Sequence, residues 1–495
     1  MKLLYYSKER KHEMGCLSEL EPKKVFEYFE AMNQVPRGTF DTKRISDWLV
    51  AFAKEHSIEC VQDASGNIVM KKAGSAGYEN SEPVILQGHM DMVCEKTEDS
   101  THDFSKDPIE MYVEDGFVKA KSTTLGADDG VAVAFALAVL TDKSIAHPPI
   151  EVIITVDEET GMGGANSIDM SGIKGKKLIN IDSDVEGTII CGCAGGVRGK
   201  GKIPFSKETI KGELLEIQVK GLVGGHSGLD IQEQRGNANR LMGRLLTAMG
   251  KEVTYSLVDV NGGTLDNVIC YASTANIVVD SAEINAVKAF IQKTQTTWEV
   301  EFDNQEPNLT ILLTEKGTAS IDSMTQESRD NVLFFLTCIP YGVQNFSRQL
   351  PDLVETSNNL GMVKTTETYV ETWGQARSSI ESKKAEVIAQ VTSCAKAVGG
   401  TCETENDYPG WMFKSDSLLR PIVVESYKKC YGEEPIISTV HAGLECGILF
   451  SKKPDLDCIS FGPNMHDCHS VRERLDIASA QRVWNLLLEV LKACK

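Results

Sequence analysis

The chain has 495 residues, too many for one hydrophobic core, so two or more domains are expected. Its 51 basic and 71 acidic residues leave a net charge of −20, which excludes a nucleic-acid-binding face and disfavours an anionic membrane surface. Hydrophobic residues make up 41%, enough to fill sizeable cores, and no apolar run approaches the roughly 20 residues that span a bilayer.

The N-terminal stretch "MKLLYYSKERKHEMG" has only Leu3–Tyr6 as an apolar segment, too short for a signal-peptide core. With Met14 available as an alternative start, residues 1–15 read as a dispensable extension. The 14 cysteines follow no framework and no paired CxxC spacing. In a large chain without an export signal they read as reduced thiols of a cytosolic protein, and "CGC" at 191–193 as small buried residues near a glycine turn.

From residue 20 to about 195, helical and strand patterns alternate. "LEPKKVFEYFEAM" and "TKRISDWLVAFAKEH" carry apolar residues at helical spacing, while "PVILQGHMDMV", "IEVIITV" and "KKLINID" are short, apolar and β-rich. The apolar helix "DDGVAVAFALAVLTD" falls between two of these strands. This alternation predicts an α/β domain whose mostly parallel central sheet is flanked by helices. After about residue 197 the strands alternate faces ("ELLEIQVKGL", "VTYSLVDV", "ASTANIVV", "WEVEFDN", "NLTILLTEKG") and mix with the helices "NANRLMGRLLTAM", "QESRDNVLFFLTCI" and "SKKAEVIAQVTSCAKAV". That pattern predicts an α+β sheet covered on one side. After "DYPGWMF" the first style returns with "SLLRPIVVESYKKCY", "LDCISFG" and "IASAQRVWNLLLEVLKACK". The expected architecture is therefore an α/β catalytic domain in two parts, 16–197 and 405–495, interrupted by an inserted α+β domain at 198–404.

Candidate chemistry gathers at strand ends, where open α/β sheets place their ligands. In "QGHMDMV", His89 and Asp91 share a face on an extended backbone, so the carboxylate can orient the imidazole as a metal ligand. In "TTLGADDG", Asp128 and Asp129 precede a helix; Asp128 is a candidate ligand, and Asp129 reads as a helix cap. "TVDEETG" ends an apolar strand on Asp157, Glu158 and Glu159. Glu158 and Glu159 can divide two jobs, one binding a cation and the other handling a proton. In "LINIDSD", Asp182 ends a strand. In "SFGPNMHDCHS", His466 and His469 sit in a loop after a strand, and spacing does not choose between them. Two imidazoles and three carboxylates can hold two divalent cations with one carboxylate bridging. Mixed His and carboxylate donors suit Zn²⁺, with Mn²⁺ and Co²⁺ also compatible. Serine-hydrolase elbows, phosphate loops and HExxH helices are missing from the sequence.

In this order, "GHMDMV", "TTLGADDG", "DEETGM", "NIDSD", "GLVGGHSG", "NGGTLDN", "HAGLECG" and "SFGPNMHDCHS" resemble the aminoacyl-histidine dipeptidases. These are also called cytosolic non-specific dipeptidases and belong to the aminoacylase/carboxypeptidase clan of metallopeptidases. The resemblance implies that His89, Asp128 and Asp182 hold one metal, and Asp128, Glu159 and His469 the other. It implies that Asp91 supports His89, that Glu158 is the general base, and that His466 is an unassigned neighbour. The inserted domain would be a lid and dimerisation domain, with His226 reaching the scissile carbonyl from a partner subunit. Asn267, Arg377 and Glu445 would bind substrate: the guanidinium suits a dipeptide's carboxylate and Glu445 its ammonium. "ADDG" departs from the commoner Ala-Asp-Asn-Gly. The activity implied is hydrolysis of dipeptides, Xaa-His and broader, by a cytosolic homodimer. Two other readings stand beside it: an amidohydrolase acting on N-acyl amino acids, and an inactive metal-binding homologue serving assembly.

Overall fold

In the computed structural model, which describes residues 15–495, the strand-like runs between 84 and 182 form the middle of an eight-stranded sheet. Of the segment 1–15, all but Gly15, and with it the alternative start at Met14, lies outside the described residues. The sheet runs in the order Glu59–Gln62, Ile68–Lys72, Ile150–Thr155, Val84–His89, Lys177–Asn180, Asp457–Ser460, Thr188–Cys193, Ile436–Val440. Its four central strands are parallel. The two strands at the first edge join antiparallel, as does Thr188–Cys193 to Asp457–Ser460. Every residue of Val84–His89, Ile150–Thr155 and Asp457–Ser460 is buried, which explains why these segments are largely apolar and do not alternate with polar residues.

The parallel register brings the strand ends into step. His89 lies beside Thr155, Gln87 beside Asn180, and Asn180 beside Ser460. The loops that follow, beginning at residues 90, 156, 181 and 461, therefore leave from one edge. The helix Ala127–Thr141 packs on Val84–His89 and against the helix Lys23–Met32. A smaller antiparallel sheet, Met465–His466, Arg474–Asp476, Phe117–Ala120 and Met111–Glu114, closes the last of these loops.

The chain forms two compact units. The first runs to Cys191 and takes in Lys414–Ser438 and Ile448–Lys495; the second comprises Gly192–Phe413 and Thr439–Gly447. The second unit is wider than the 198–404 expected from the sequence because short backbone pairings extend it. Cys193 and Trp411 exchange N–H···O bonds of 2.8 and 2.9 Å, and the Ala194 N–H donates to the Val440 carbonyl at 3.0 Å.

Within the second unit the sheet is antiparallel, in the order Thr310–Met324, Lys207–Lys220, Ser273–Val279, Tyr255–Gly262, Val354–Thr365, Tyr369–Ser378, Gly195–Pro204, Thr401–Tyr408, with Gly342–Phe346 also on Val354–Thr365. Its halves meet through one register pair, Gly262 opposite Val363. Alternate residues Leu215, Ile217 and Val219 join a core with Leu241, Leu245, Phe290, Phe335 and Val391 from the helices, as a one-sided sheet requires. One predicted strand is corrected: "WEVEFDN" lies in the helix Ile284–Phe302 and the short turn after it. Its alternation is accidental, since Trp298 is buried while Val300 is 79% exposed, and the buried residues Val287, Phe290, Ile291 and Trp298 follow a helical stripe.

Gly88 permits close packing beneath the strand ends. A Cβ there would stand 2.4 Å from Asp129 Oδ2 and 2.7 Å from Ala132 Cβ. Gly88→Ala is expected to destabilise the protein by about 1–3 kcal/mol, the usual range for overpacking, read as a lower urea midpoint.

Candidate metal centre

The strand edge gathers five of the sequence-predicted ligands into two overlapping groups. Ligand atoms of His89, Asp128 and Asp182 lie within 4.8 Å of one another, as do those of Asp128, Glu159 and His469. Asp128 belongs to both groups and offers each a different oxygen. Its Oδ1 is 3.2 Å from His89 Nε2, and its Oδ2 is 3.1 Å from His469 Nε2. His469 Nε2 is also 3.0 Å from Glu159 Oε2, and His89 Nε2 is 3.9 Å from Asp182 Oδ1. Glu158 stands outside both groups, with Oε2 3.9 Å from His89 Nε2.

Local folding explains which of the two loop histidines enters. His466 pairs with Arg474 in the small sheet, and its ring packs edge-on against Phe117, centroids 5.7 Å apart. His469 sits at the tip of the same hairpin in a left-handed conformation, φ 61°, and reaches Asp128. The acidic triplet divides its labour in a similar way. Asp157, also left-handed at φ 53°, turns the chain and accepts the Phe40 N–H at 2.8 Å. Glu158 and Glu159 then donate their backbone N–H groups to the two oxygens of Asp91, at 3.1 and 3.4 Å. Asp91, fully buried, also accepts the Thr39 hydroxyl at 2.9 Å and faces His89 Nδ1 at 3.4 Å. One carboxylate thus holds a candidate ligand imidazole and the backbone of both glutamates.

Supporting residues went unseen in the sequence. Glu473 accepts backbone N–H groups from Leu125 (2.7 Å), Gly126 (3.0 Å), Ala127 (2.7 Å) and Asp128 (3.3 Å), and so fixes the loop that presents Asp128. Arg37, 1% exposed, donates to the carbonyls of Met90, Asp91 and Gly126 and to Asn33 Oδ1. Neither Glu473 nor Arg37 carries a mark in the sequence that points to this role. Asp129, expected to cap a helix, does not. The helix has no side-chain cap, and Asp129 Oδ2 instead accepts the His89 N–H at 3.2 Å.

The charges press on one another. Burial alone would lower the His89 imidazole, but Asp128 and Asp91 raise it well above its ordinary value. Bonds to Asp128 and Glu159 push His469 up to about 11. Burial works to raise Asp128, but the two imidazoles outweigh it and hold the carboxyl below the usual range. Burial, reinforced by Asp182, pushes Asp129 well up. The donor set fits divalent cations: imidazole nitrogens and carboxylate oxygens converge, Asp128 faces both ways, and Glu159 Oε1 is buried without a hydrogen-bond partner.

The residues expected to bind substrate all lie in the second unit. His226 is half-buried in a glycine-rich turn, its N–H donating to Asp230 at 2.7 Å. Asn267 is half-buried, and its carbonyl accepts the Ser227 N–H at 2.8 Å. Arg377, 5% exposed on Tyr369–Ser378, donates through Nη1 to the Tyr408 hydroxyl at 2.9 Å, and its buried Nε has no hydrogen-bond partner. Glu445 is fully buried at the start of the helix Glu445–Lys452.

The sequence profile of peptidase family M20/M25/M40 matches residues 85–493. The chain belongs to this family. It is 37% identical over 481 residues to the cytosol non-specific dipeptidase of Escherichia coli K12, covering 97% of this chain and 99% of that protein. The crystal structure of aminoacylhistidine dipeptidase from Vibrio alginolyticus superposes with a TM-score of 0.91 at 34% identity, over 96% of this chain and 98% of that one. The aminopeptidase PepT of Bacillus cereus, at 17% identity and a TM-score of 0.56, covers 96% of this chain and 99% of its own and shares the fold. The chain is a peptide-bond hydrolase.

The two candidate ligand imidazoles hold protons above their ordinary range, so a cation would have to displace them. Metal binding near neutral pH is therefore expected to release protons, and the apparent affinity to rise with pH until His469 titrates at about 11. Calorimetry in buffers of different ionisation enthalpy checks both.

Proposed function

We propose that the protein is a cytosolic dipeptidase that uses two divalent cations, Zn²⁺ or a similar ion, and Glu158 as its general base. The observation that carries this reading is the division of Asp128 between two imidazole centres, with Glu158 beside them and in neither ligand group. His89, Asp128 and Asp182 would hold one cation, and Asp128, Glu159 and His469 the other. When bound, the cations supply Lewis acidity for the scissile carbonyl and lower the pKa of the attacking water.

The chain's own residues do the rest. Glu158 takes a proton from the attacking water at its carboxylate and returns it to the leaving amine. Asp91 keeps Glu158 and Glu159 in register through their backbone N–H groups and orients His89. His226 donates to the oxygen of the scissile carbonyl. Arg377 pairs with the substrate's carboxylate, Glu445 receives its ammonium, and Asn267 orients the peptide between them. Reading both ends would restrict the enzyme to very short peptides. The names of the two relatives that match nearly the whole chain support a dipeptide substrate, Xaa-His included, and a cytosolic location. The second unit is assigned lid and dimer contacts, with His226 acting on the partner's substrate. Its loops around His226 carry Val223, Leu229 and Leu265, each more than half exposed, as such a contact requires.

The test is hydrolysis of free dipeptides against their N-acetylated forms, before and after chelation and metal restoration. Cleavage of the free peptides alone, lost on chelation, is expected; preference for the acetylated forms would favour an N-acyl amidohydrolase. Glu158→Gln is expected to lower kcat by about 10²–10⁴ while metal content, measured by emission spectroscopy, stays at the parent's level. Parental turnover in that variant would remove Glu158 as the base.

A further inference from the structure

His441 has no part in the chemistry above, yet it occupies a connecting position in the second unit. It is 8% exposed, and its Nε2 lies 2.7 Å from the Ser357 hydroxyl. Ser357 stands directly opposite Arg377 on the neighbouring antiparallel strand. Directly opposed residues of a pleated pair project to the same face, so Ser357 carries His441 onto the face that presents the guanidinium. The backbone at His441 also lies against the turn that holds His226. A Cβ on Gly228 would stand 2.7 Å from the His441 carbonyl oxygen, so the turn lies directly on this backbone, and the Gly228 N–H donates to His226 Nδ1 at 3.3 Å.

The electrostatics agree with the geometry. Burial, followed by the charge of Arg377, lowers His441 to about 3 and lowers His226 as well. His441 therefore stays neutral at working pH and adds no competing charge beside the guanidinium. Arg377 has its Tyr408 bond and a buried Nε without a hydrogen-bond partner. A buried cation so lightly tied depends on its neighbours to hold it in the geometry a carboxylate needs.

We infer that His441 is a positioning residue for carboxylate recognition, joining Ser357 to the His226 turn so that Arg377 is held ready for the free C-terminus of the substrate. This rests on the assignment of Arg377 to the substrate carboxylate. It differs from that assignment in predicting that removal of a neutral side chain, in a segment distant in sequence, weakens recognition of one end of the peptide.

The experiment compares kcat/KM for Ala-Ala with that for Ala-Ala amide in the metal-loaded full-length enzyme. The variants are His441→Ala, His441→Gln, Ser357→Ala and Arg377→Ala, each checked for parental circular dichroism. The free-acid preference is expected to fall about tenfold in His441→Ala, mainly through a higher KM for Ala-Ala, with the amide little affected. Ser357→Ala should act in the same direction, and His441→Gln, which keeps a polar partner for Ser357, should restore most of the preference. If the His441 and Ser357 variants lower both substrates equally, or neither, while Arg377→Ala collapses the preference, the positioning role is wrong and the carboxylate assignment stands. If Arg377→Ala leaves the preference intact, the carboxylate assignment fails and takes this inference with it.

Discussion

Carboxylates repel one another, and a protein that crowds several into one cleft needs a framework rigid enough to hold them there. Here the framework is the parallel register of four buried strands, which sets His89, Thr155, Asn180 and Ser460 at a common edge. Val84–His89 contributes its last residue, Ile150–Thr155 and Lys177–Asn180 contribute residues just beyond them, and the hairpin after Asp457–Ser460 contributes His469, while Asp128 comes from the start of the helix Ala127–Thr141. The candidate ligands are far apart in sequence but close in space because strand pairing, not loop length, decides where each loop begins. A shift of one residue in any of these strands would turn its side chains to the other face and dissolve the site.

Register brings the residues near, and a second layer aims them. Asp91 divides its oxygens among an imidazole, a hydroxyl and two backbone amides. Glu473 gathers four successive amides, from Leu125 to Asp128 itself. Arg37, buried between them, satisfies three carbonyls of the same loops and lies close enough to feel the charges of Glu473, Asp91 and Asp129. Removing any of these would leave buried polar groups without partners, which costs more than the bond alone is worth.

Much of this was legible in the sequence, for physical reasons. Strands buried on both faces are dominated by apolar residues, so Val84–His89 and Ile150–Thr155 announced themselves, and the acidic or imidazole residues at or just beyond their ends stood out. Glu473 and Arg37 did not, because their partners are backbone groups that leave no mark in residue type. Asp129 was misread because a carboxylate at a helix start usually caps it, whereas here burial turns it toward the His89 amide. "WEVEFDN" was misread because a five-residue alternation fits a strand locally, while the helical stripe becomes visible only over the longer span from Val287.

The order of strands in the first sheet has a consequence for biosynthesis. Asp457–Ser460 lies between Lys177–Asn180 and Thr188–Cys193, two strands made nearly three hundred residues earlier. Until the ribosome has delivered it, those neighbours frame an open slot, and neither His469 nor Glu473 has been synthesised. The nascent polypeptide thus carries its acidic cluster without the histidine and the clamp that complete it. Because His469 and Glu473 both follow that strand in the chain, the acidic cluster cannot be completed before Asp457–Ser460 has been made and has paired between its two neighbours.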